Sequence, residues 1–318
     1  MAEWLYEAGI GENRAALIEH GEILEALLEL EDAGPRLGTV ASARLIEILV
    51  PGRTGRVQFD GEEALLEGFP RGLSQGAILT VRIVREAIPE PGRAKLAKAI
   101  AAEGELPTTG PDLFTRLQAS GVPVRRCHAH EPDRLEAAGW SELLQEARDG
   151  EIAFAGGALR MSPTPAMTLF DVDGQPPLDA LAVRAAGAIG RAIRRHGIGG
   201  SIGMDFPTLS GRAQRQAVDE AVDRAVPQPF ERTAMNGFGF LQLVRRRERA
   251  SLPELVRADP VGAAARAALR MAERVQPPFP DTYIVSEPVA RRINARPDWL
   301  DELARRTGRR AAFVAEKH

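Results

Sequence analysis

Two aspartates stand out by position. Asp171 closes the apolar stretch of Met167-Thr168-Leu169-Phe170-Asp171-Val172-Asp173-Gly174, and Asp205 closes that of Gly199-Gly200-Ser201-Ile202-Gly203-Met204-Asp205-Phe206. A helix-like spacer from Leu178 to His196 lies between them. Strand, helix, strand is the arrangement that sets two strand ends side by side. Mg²⁺ takes oxygen ligands and keeps several waters, so one or two carboxylates plus substrate phosphates suffice to hold it. A metal held in that way activates water and stabilises charge on a scissile phosphate. Spacing alone leaves another reading open, because an aspartate after an apolar strand also serves as a helix cap or a turn residue.

Other residues carry chemistry more ambiguously. Arg245-Arg246-Arg247-Glu248-Arg249 is either a solvated face or a phosphate-binding run acting through charge and bidentate hydrogen bonds. Phe238 suits a core position or a base-stacking one. Cys127-His128-Ala129-His130-Glu131 contains metal-capable side chains, but the short spacing and the lack of a second cluster favour a loop. Arg305-Arg306 and Arg309-Arg310 read as a solvated helix end.

The elements that must position these groups follow from pattern. Glu3 to Gly9 and Asn13 to Glu19 flank a turn and predict a hairpin, and Ile23 to Leu30 suits strand or helix. Residues 36 to 100 hold several short strands between glycine turns: Gly38 to Leu49, Arg56 to Asp60, Ala64 to Glu67 and Gly76 to Glu86, with Arg93 to Leu96 closing the unit. That pattern fits an OB-type barrel or a β sandwich. Helices are predicted over Asp112 to Ser120, Pro132 to Ala138 and Ser141 to Arg148, with a short strand from Val122 to Arg126. An α/β core follows. It has a hairpin around Gly156-Gly157, the two acid-ended strands, a helix from Arg212 to Val226, a strand from Arg232 to Met235, and Leu241 to Arg249 as strand or helix. Residues 251 to 318 read as α-β-α-β.

Composition sets the limits. The 318 residues are 44% hydrophobic and 27% charged, which suits a globular chain of two or three domains. A net charge of −3 means that any nucleic-acid contact relies on local basic clusters. The single cysteine, Cys127, excludes an internal disulfide and a multi-cysteine zinc site. No apolar run has the length of a membrane span and no signal-peptide pattern opens the sequence, so the expectation is a cytoplasmic protein with no membrane partner.

The acid-ended strands, the intervening helix and the Gly199-Gly200 turn resemble the catalytic region of the ribonuclease E/G family of endoribonucleases. There a strand ends in Ile-Asp-Val-Asn, and after a helix and Gly-Gly a second strand ends in Ile-Asp-Phe. The likeness continues through Gln214-Arg215 and Asn236-Gly237-Phe238-Gly239-Phe240-Leu241-Gln242-Leu243, with Arg245 and Arg247 beyond. It extends to the predicted barrel, including Arg85-Glu86 and Gly92-Arg93-Ala94-Lys95-Leu96.

The resemblance implies an α/β (α+β multidomain) fold. It has a shortened RNase H-like subdomain at 1–35 and 104–150, an inserted OB-type RNA-binding barrel at 36–103, a DNase I-like α/β catalytic core at 151–250, and a small C-terminal α/β domain at 251–318. It implies a Mg²⁺-dependent endoribonuclease, a phosphodiester hydrolase acting on single-stranded RNA, with rRNA precursors among its partners. Asp171 and Asp205 would be the metal ligands, and Asp173, where the family has asparagine, would assist as a third catalytic carboxylate. Arg245, Arg247, Phe238, Arg93 and Lys95 would contact RNA, and Val57 and Phe59 fall where the family shows an aromatic RNA-contacting surface.

The sequence also departs from the pattern. Gly237 replaces the arginine before Phe-Gly, and Gly174-Gln175-Pro176-Pro177 stands where another arginine is expected. The zinc-link cysteines are missing, so any oligomer is not zinc-linked. The alternative implied by these losses is a catalytically weak or inactive RNA-binding factor in rRNA processing or ribosome assembly.

Overall fold

The computed structural model describes residues 1–90 and 94–316. Strands β1 (Glu3–Ala8), β2 (Glu12–Glu19) and β3 (Glu22–Leu30) open the chain as a meander, so the ambiguous third segment is a strand. Five strands follow: β4 (Val40–Val50), β5 (Thr54–Phe59), β6 (Glu62–Glu67), β7 (Ile78–Arg85) and β8 (Ala97–Ala101). Then come α1 (Leu113–Ala119), β9 (Val124–Arg126), α2 (Arg134–Ala137) and α3 (Trp140–Asp149). The α/β core supplies β10 (Glu151–Phe154), β11 (Gly157–Pro163), β12 (Thr168–Gly174), α4 (Leu178–Arg195), β13 (Gly200–Asp205), α5 (Arg212–Ala225), β14 (Phe230–Arg232) and β15 (Phe240–Arg245). Last come α6 (Leu252–Ala258), α7 (Pro260–Arg274), β16 (Thr282–Val285), α8 (Glu287–Asn294), α9 (Pro297–Thr307) and β17 (Ala312–Ala315). The architecture is mixed α/β with a closed five-stranded barrel. Among the described residues no helix is long and apolar enough to cross a membrane.

The chain divides into two compact units. The larger comprises Ala33–Asp112 and Glu142–Leu255. Its barrel runs in the order β4-β5-β6-β8-β7, with β6 parallel to β8 and the other pairs antiparallel. The closing strand is β8, Ala97 to Ala101, which begins just beyond the Arg93 to Leu96 segment expected from the sequence. Its Ala-Lys-Ala-Ile-Ala run carries little β-propensity, and Ala97 and Ala99 point into the barrel core.

The same unit holds a six-stranded sheet in the order β10-β11-β12-β13-β15-β14. One face packs on α4 and α5. Leu181, Ala185, Ile189, Ala192 and Ile193 recur at helical spacing on α4 and are fully buried against Phe170, Ile202, Met204, Leu241 and Leu243 of the sheet. Each such Leu or Ile contributes about 1.5–3 kcal/mol by leaving water. Strand alternation fixes the other face: with Phe170, Val172 and Met204 turned to the helices, Asp171, Asp173 and Asp205 must point away from them.

The smaller unit comprises Met1–Asp32, Leu113–Ser141 and the chain from Val256 onward. Its sheet has the order β3-β2-β1-β9, with β9 parallel to β1. The two-stranded parallel pair β16-β17 belongs to the same unit. A buried ion network runs through it. Arg14, 1% exposed, bridges Glu7 (3.1 Å) and Asp133 (2.8 Å). From α7, Arg274 also pairs with Glu7, while Arg266 and Arg270 take Glu12 at 2.9 and 2.7 Å. Burial pushes the Asp133 carboxyl up, but the Glu136 N–H and Arg14 outweigh it and hold Asp133 below the usual carboxylate range.

Candidate metal and phosphate site

The parallel pair β12–β13 sets Asp171 and Asp205 in direct register. They lie on the open face of the sheet, one strand spacing apart, about 4.8 Å. A row crosses five strands at this level: Glu151, Arg160, Asp171, Asp205 and Phe240. Among the described residues, neither Asp171 nor Asp205 is engaged by a hydrogen bond or an ion pair. Two carboxylates side by side with no cation between them repel, so the fold itself gains nothing from the pair. Their free oxygens on an open face fit a hard cation that keeps most of its own waters.

Asp173 does not join them. It lies one pleat further along β12, and Arg160 Nε stands 3.5 Å from its carboxylate and 3.5 Å from that of Glu151. Among the described residues no three His, Cys, Asp or Glu side chains converge on a possible metal position. Arg160, overlooked in the sequence, is the cation nearest the pair by register. Its position between the buried Leu159 and Met161 was the available signal, since alternation puts Arg160 on the acid face.

The loop before β15 frames the other side. Asn236 Oδ1 accepts hydrogen bonds from the Phe238 N–H (2.9 Å) and the Phe240 N–H (3.1 Å). The Phe206 N–H donates to the Gly239 carbonyl at 3.1 Å. Gly239 has φ +99°, and a Cβ there would lie 2.2 Å from the Phe206 carbonyl oxygen, so only glycine lets the loop close on β13. The loop presents Phe238 with 85% of its surface exposed, beside the end of the strand that carries Asp205. A Cβ at Gly237 would meet nothing within 4 Å.

The basic run lies elsewhere. β15 is antiparallel to β13, pairing Asp205 with Phe240 and Gly200 with Arg245. Arg245 is thus five residues from the acid pair along the strand, roughly 16 Å away, at the opposite edge of the sheet. Its Nη1 donates to the Ile198 carbonyl at 3.0 Å. Arg247 pairs with Glu254, which also accepts from the Ser251 N–H and hydroxyl at 2.8 Å each. Arg249 pairs with Glu86 at 3.1 Å. Arg245 and Arg247, which the resemblance makes RNA contacts, thus do not stand beside the acids: antiparallel pairing carries them away, and their heads tie the strand end to its surroundings. Gly199-Gly200 has a matching reason. A Cβ on Gly199 would lie 2.8 Å from the Arg246 carbonyl oxygen, and one on Gly200 3.2 Å from Arg247 Cδ.

One barrel expectation also changes. Val57 and Phe59 point into the barrel core, at 0% and 6% exposure, because β5 alternates in the opposite parity to an RNA-facing surface. Lys95 pairs with Glu90 and donates to the Pro165 carbonyl at 2.8 Å, in the turn that precedes β12 and so at the edge away from the acids. Arg93 lies outside the described residues.

No protein-family model matches the chain. Ribonuclease G of Escherichia coli strain K12 is 28% identical over 126 residues, covering 36% of this chain and 26% of that protein. The ribonuclease G proteins of Shigella flexneri and Salmonella typhimurium strain SL1344 give the same identity and coverage. The match spans about a quarter of the length of these curated relatives. The chain is thus distantly similar to ribonuclease G over about a third of its length.

Proposed function

We propose that the protein is a Mg²⁺-dependent endoribonuclease that hydrolyses single-stranded RNA, with Asp171 and Asp205 as the metal ligands. The observation that carries this reading is the in-register pair of unengaged carboxylates on two neighbouring parallel strands, Asp171 within β12 and Asp205 at the end of β13. A fold does not keep such a repulsive arrangement for its own stability. The distant similarity to ribonuclease G supports the same chemistry.

Bound between these oxygens, the cation would supply an activated water and offset the charge that builds on the phosphate. Asp171 and Asp205 would hold it from strands fixed by the core behind them. Asp173, braced by Arg160, orients water from one pleat away. Phe238 offers a flat apolar surface on which a base beside the cleaved bond stacks. On this reading the barrel, whose order is that of five Greek-key strands closed by a parallel pair, is OB-type and carries flanking RNA. The β3-β2-β1-β9 sheet is a shortened RNase H-like subdomain, the six-stranded sheet with its helices is DNase I-like, and the residues from 251 onward form a small α/β domain. The setting is cytoplasmic RNA turnover, including rRNA precursors, and any oligomer forms without a zinc link.

The test is cleavage of end-labelled single-stranded RNA by purified protein. Asp171→Asn and Asp205→Asn should each reduce Mg²⁺-dependent cleavage at least a hundredfold, and unchanged rates would refute the assignment. Two observations favour a second reading, an RNA-binding factor without turnover: Gly237 presents no side chain toward the acids and Arg160 is shared between two carboxylates. Tight RNA binding with no cleavage in Mg²⁺ or Mn²⁺ would establish it.

A further inference from the structure

The smaller unit contains a cavity of about 510 Å³, within the range of small-molecule sites. It lies at the carboxyl ends of the parallel strands β1 and β9, where Tyr6 pairs with Arg126. In open α/β sheets that edge is where ligands commonly bind. The loop Cys127–His130 forms one wall, and Phe279 with the ends of α7 and α9 forms the other.

The charges in this cavity are unevenly committed. Glu7 is neutralised by Arg14 and Arg274, and Glu273 by Arg306 at 3.1 Å. Arg126 has no carboxylate partner among the described residues. Its guanidinium instead lies over the Phe114 ring, 3.9 Å from the centroid, which fixes the plane of its donors. The charge left over in the cavity is therefore positive.

The walls also offer flat surfaces. His128 and His130 stack with centroids 5.6 Å apart and planes 12° from parallel. Parallel stacked rings do not aim their nitrogens at one shared metal. Burial pushes the Cys127 thiol up, which keeps it protonated and a poor metal ligand. Phe279 is 45% exposed, with the Arg309 guanidinium 4.3 Å from its centroid on one side.

We infer that this cavity binds a nucleoside monophosphate, with the phosphate on Arg126 and the base against Phe279 and the stacked imidazoles. A cationic fork whose plane is already fixed suits a phosphate, and exposed aromatic faces suit a base. The site is independent of the acid pair, since its lining residues all belong to the other unit.

Calorimetric titration of the full chain with AMP, UMP, adenosine and inorganic phosphate tests this. AMP and UMP should saturate one site, with adenosine and phosphate at least tenfold weaker. Arg126→Gln and Phe279→Ala, both at exposed positions, should each lower nucleotide affinity about tenfold. The Asp171→Asn/Asp205→Asn double variant should bind as the parent does. The inference is overturned by no saturable binding at millimolar nucleotide, by phosphate binding as tightly as AMP, or by loss of binding in the double variant while Arg126→Gln and Phe279→Ala retain it.

Discussion

The acid pair makes a prediction about stability that can be separated from activity. Asp171 and Asp205 are in register on adjacent parallel strands. Two unit charges about 5 Å apart repel by roughly 0.8 kcal/mol at the dielectric of water and roughly 3 kcal/mol at an effective value of 20. The face is open, which favours the lower figure, and Arg160 on the far flank of Asp171 offsets part of the repulsion there. Asp205→Asn should therefore stabilise the metal-free protein by about 1 kcal/mol, a rise in Tm of about 2–4 °C for a unit of this size. Mg²⁺ should act in the opposite sense on the comparison. At ten times its dissociation constant it should stabilise the parent by about 1.4 kcal/mol and leave the Asp171→Asn/Asp205→Asn double variant unmoved. Thermal melts in EDTA and across a Mg²⁺ series at fixed ionic strength, run beside RNA cleavage, measure both. The reasoning is refuted if Asp205→Asn destabilises the metal-free protein, or if Mg²⁺ shifts parent and double variant equally.

Four further outcomes are expected. Gly237→Arg should fold normally, because its Cβ meets open space, and should tighten single-stranded RNA binding several-fold in a filter assay by placing a cation beside Phe238. Phe238→Ala should weaken that binding by about 1–3 kcal/mol with no loss of Tm, since the ring is exposed. Glu7→Gln should destabilise the smaller unit by about 1–3 kcal/mol in urea, because Arg14 and Arg274 lose the charge of Glu7 and keep Asp133 to share between them. Glu302 is held down to about 2 by hydrogen bonds from Arg305 and Arg306 against an ordinary 4.5. A depressed carboxylate contributes stability above its unfolded value and loses it as pH falls toward the folded one, so Glu302→Gln should flatten the acid side of the stability curve between pH 4.5 and 2.

The elements around the acid pair were legible because local pattern determines them. Alanines and isoleucines at helical spacing specify α4, and apolar alternation specifies β12 and β13. What sequence could not supply was strand direction and parity. Nothing local to Phe240–Arg245 says that it runs antiparallel to β13, yet that sense alone separates the basic run from Asp205. The side of β5 on which Val57 and Phe59 fall depends on barrel closure, which in turn rests on an alanine-rich strand with almost no signal of its own. The ion network was illegible for a simpler reason: Arg266 and Glu12 are 254 residues apart and become neighbours only through tertiary packing.

That separation bears on how the chain can be made. The barrel strands β4 to β8 are contiguous, so their pairings are available as soon as they leave the ribosome. The β1–β3 meander is in a different position. Its parallel neighbour β9 emerges more than a hundred residues later, and the α7 arginines that neutralise Glu12 later still. At 5–20 residues per second the delay for Arg266 is roughly 12 to 50 s. Throughout that interval Glu12 has no counter-charge from α7 to be buried with, and until β9 is made the β1 edge that it will cover has no partner. The β1–β3 strands are thus synthesised well before the segments they pack against and are among the last to reach their final packing, and a nascent chain stalled before α7 would hold them open to chaperones, proteases and one another.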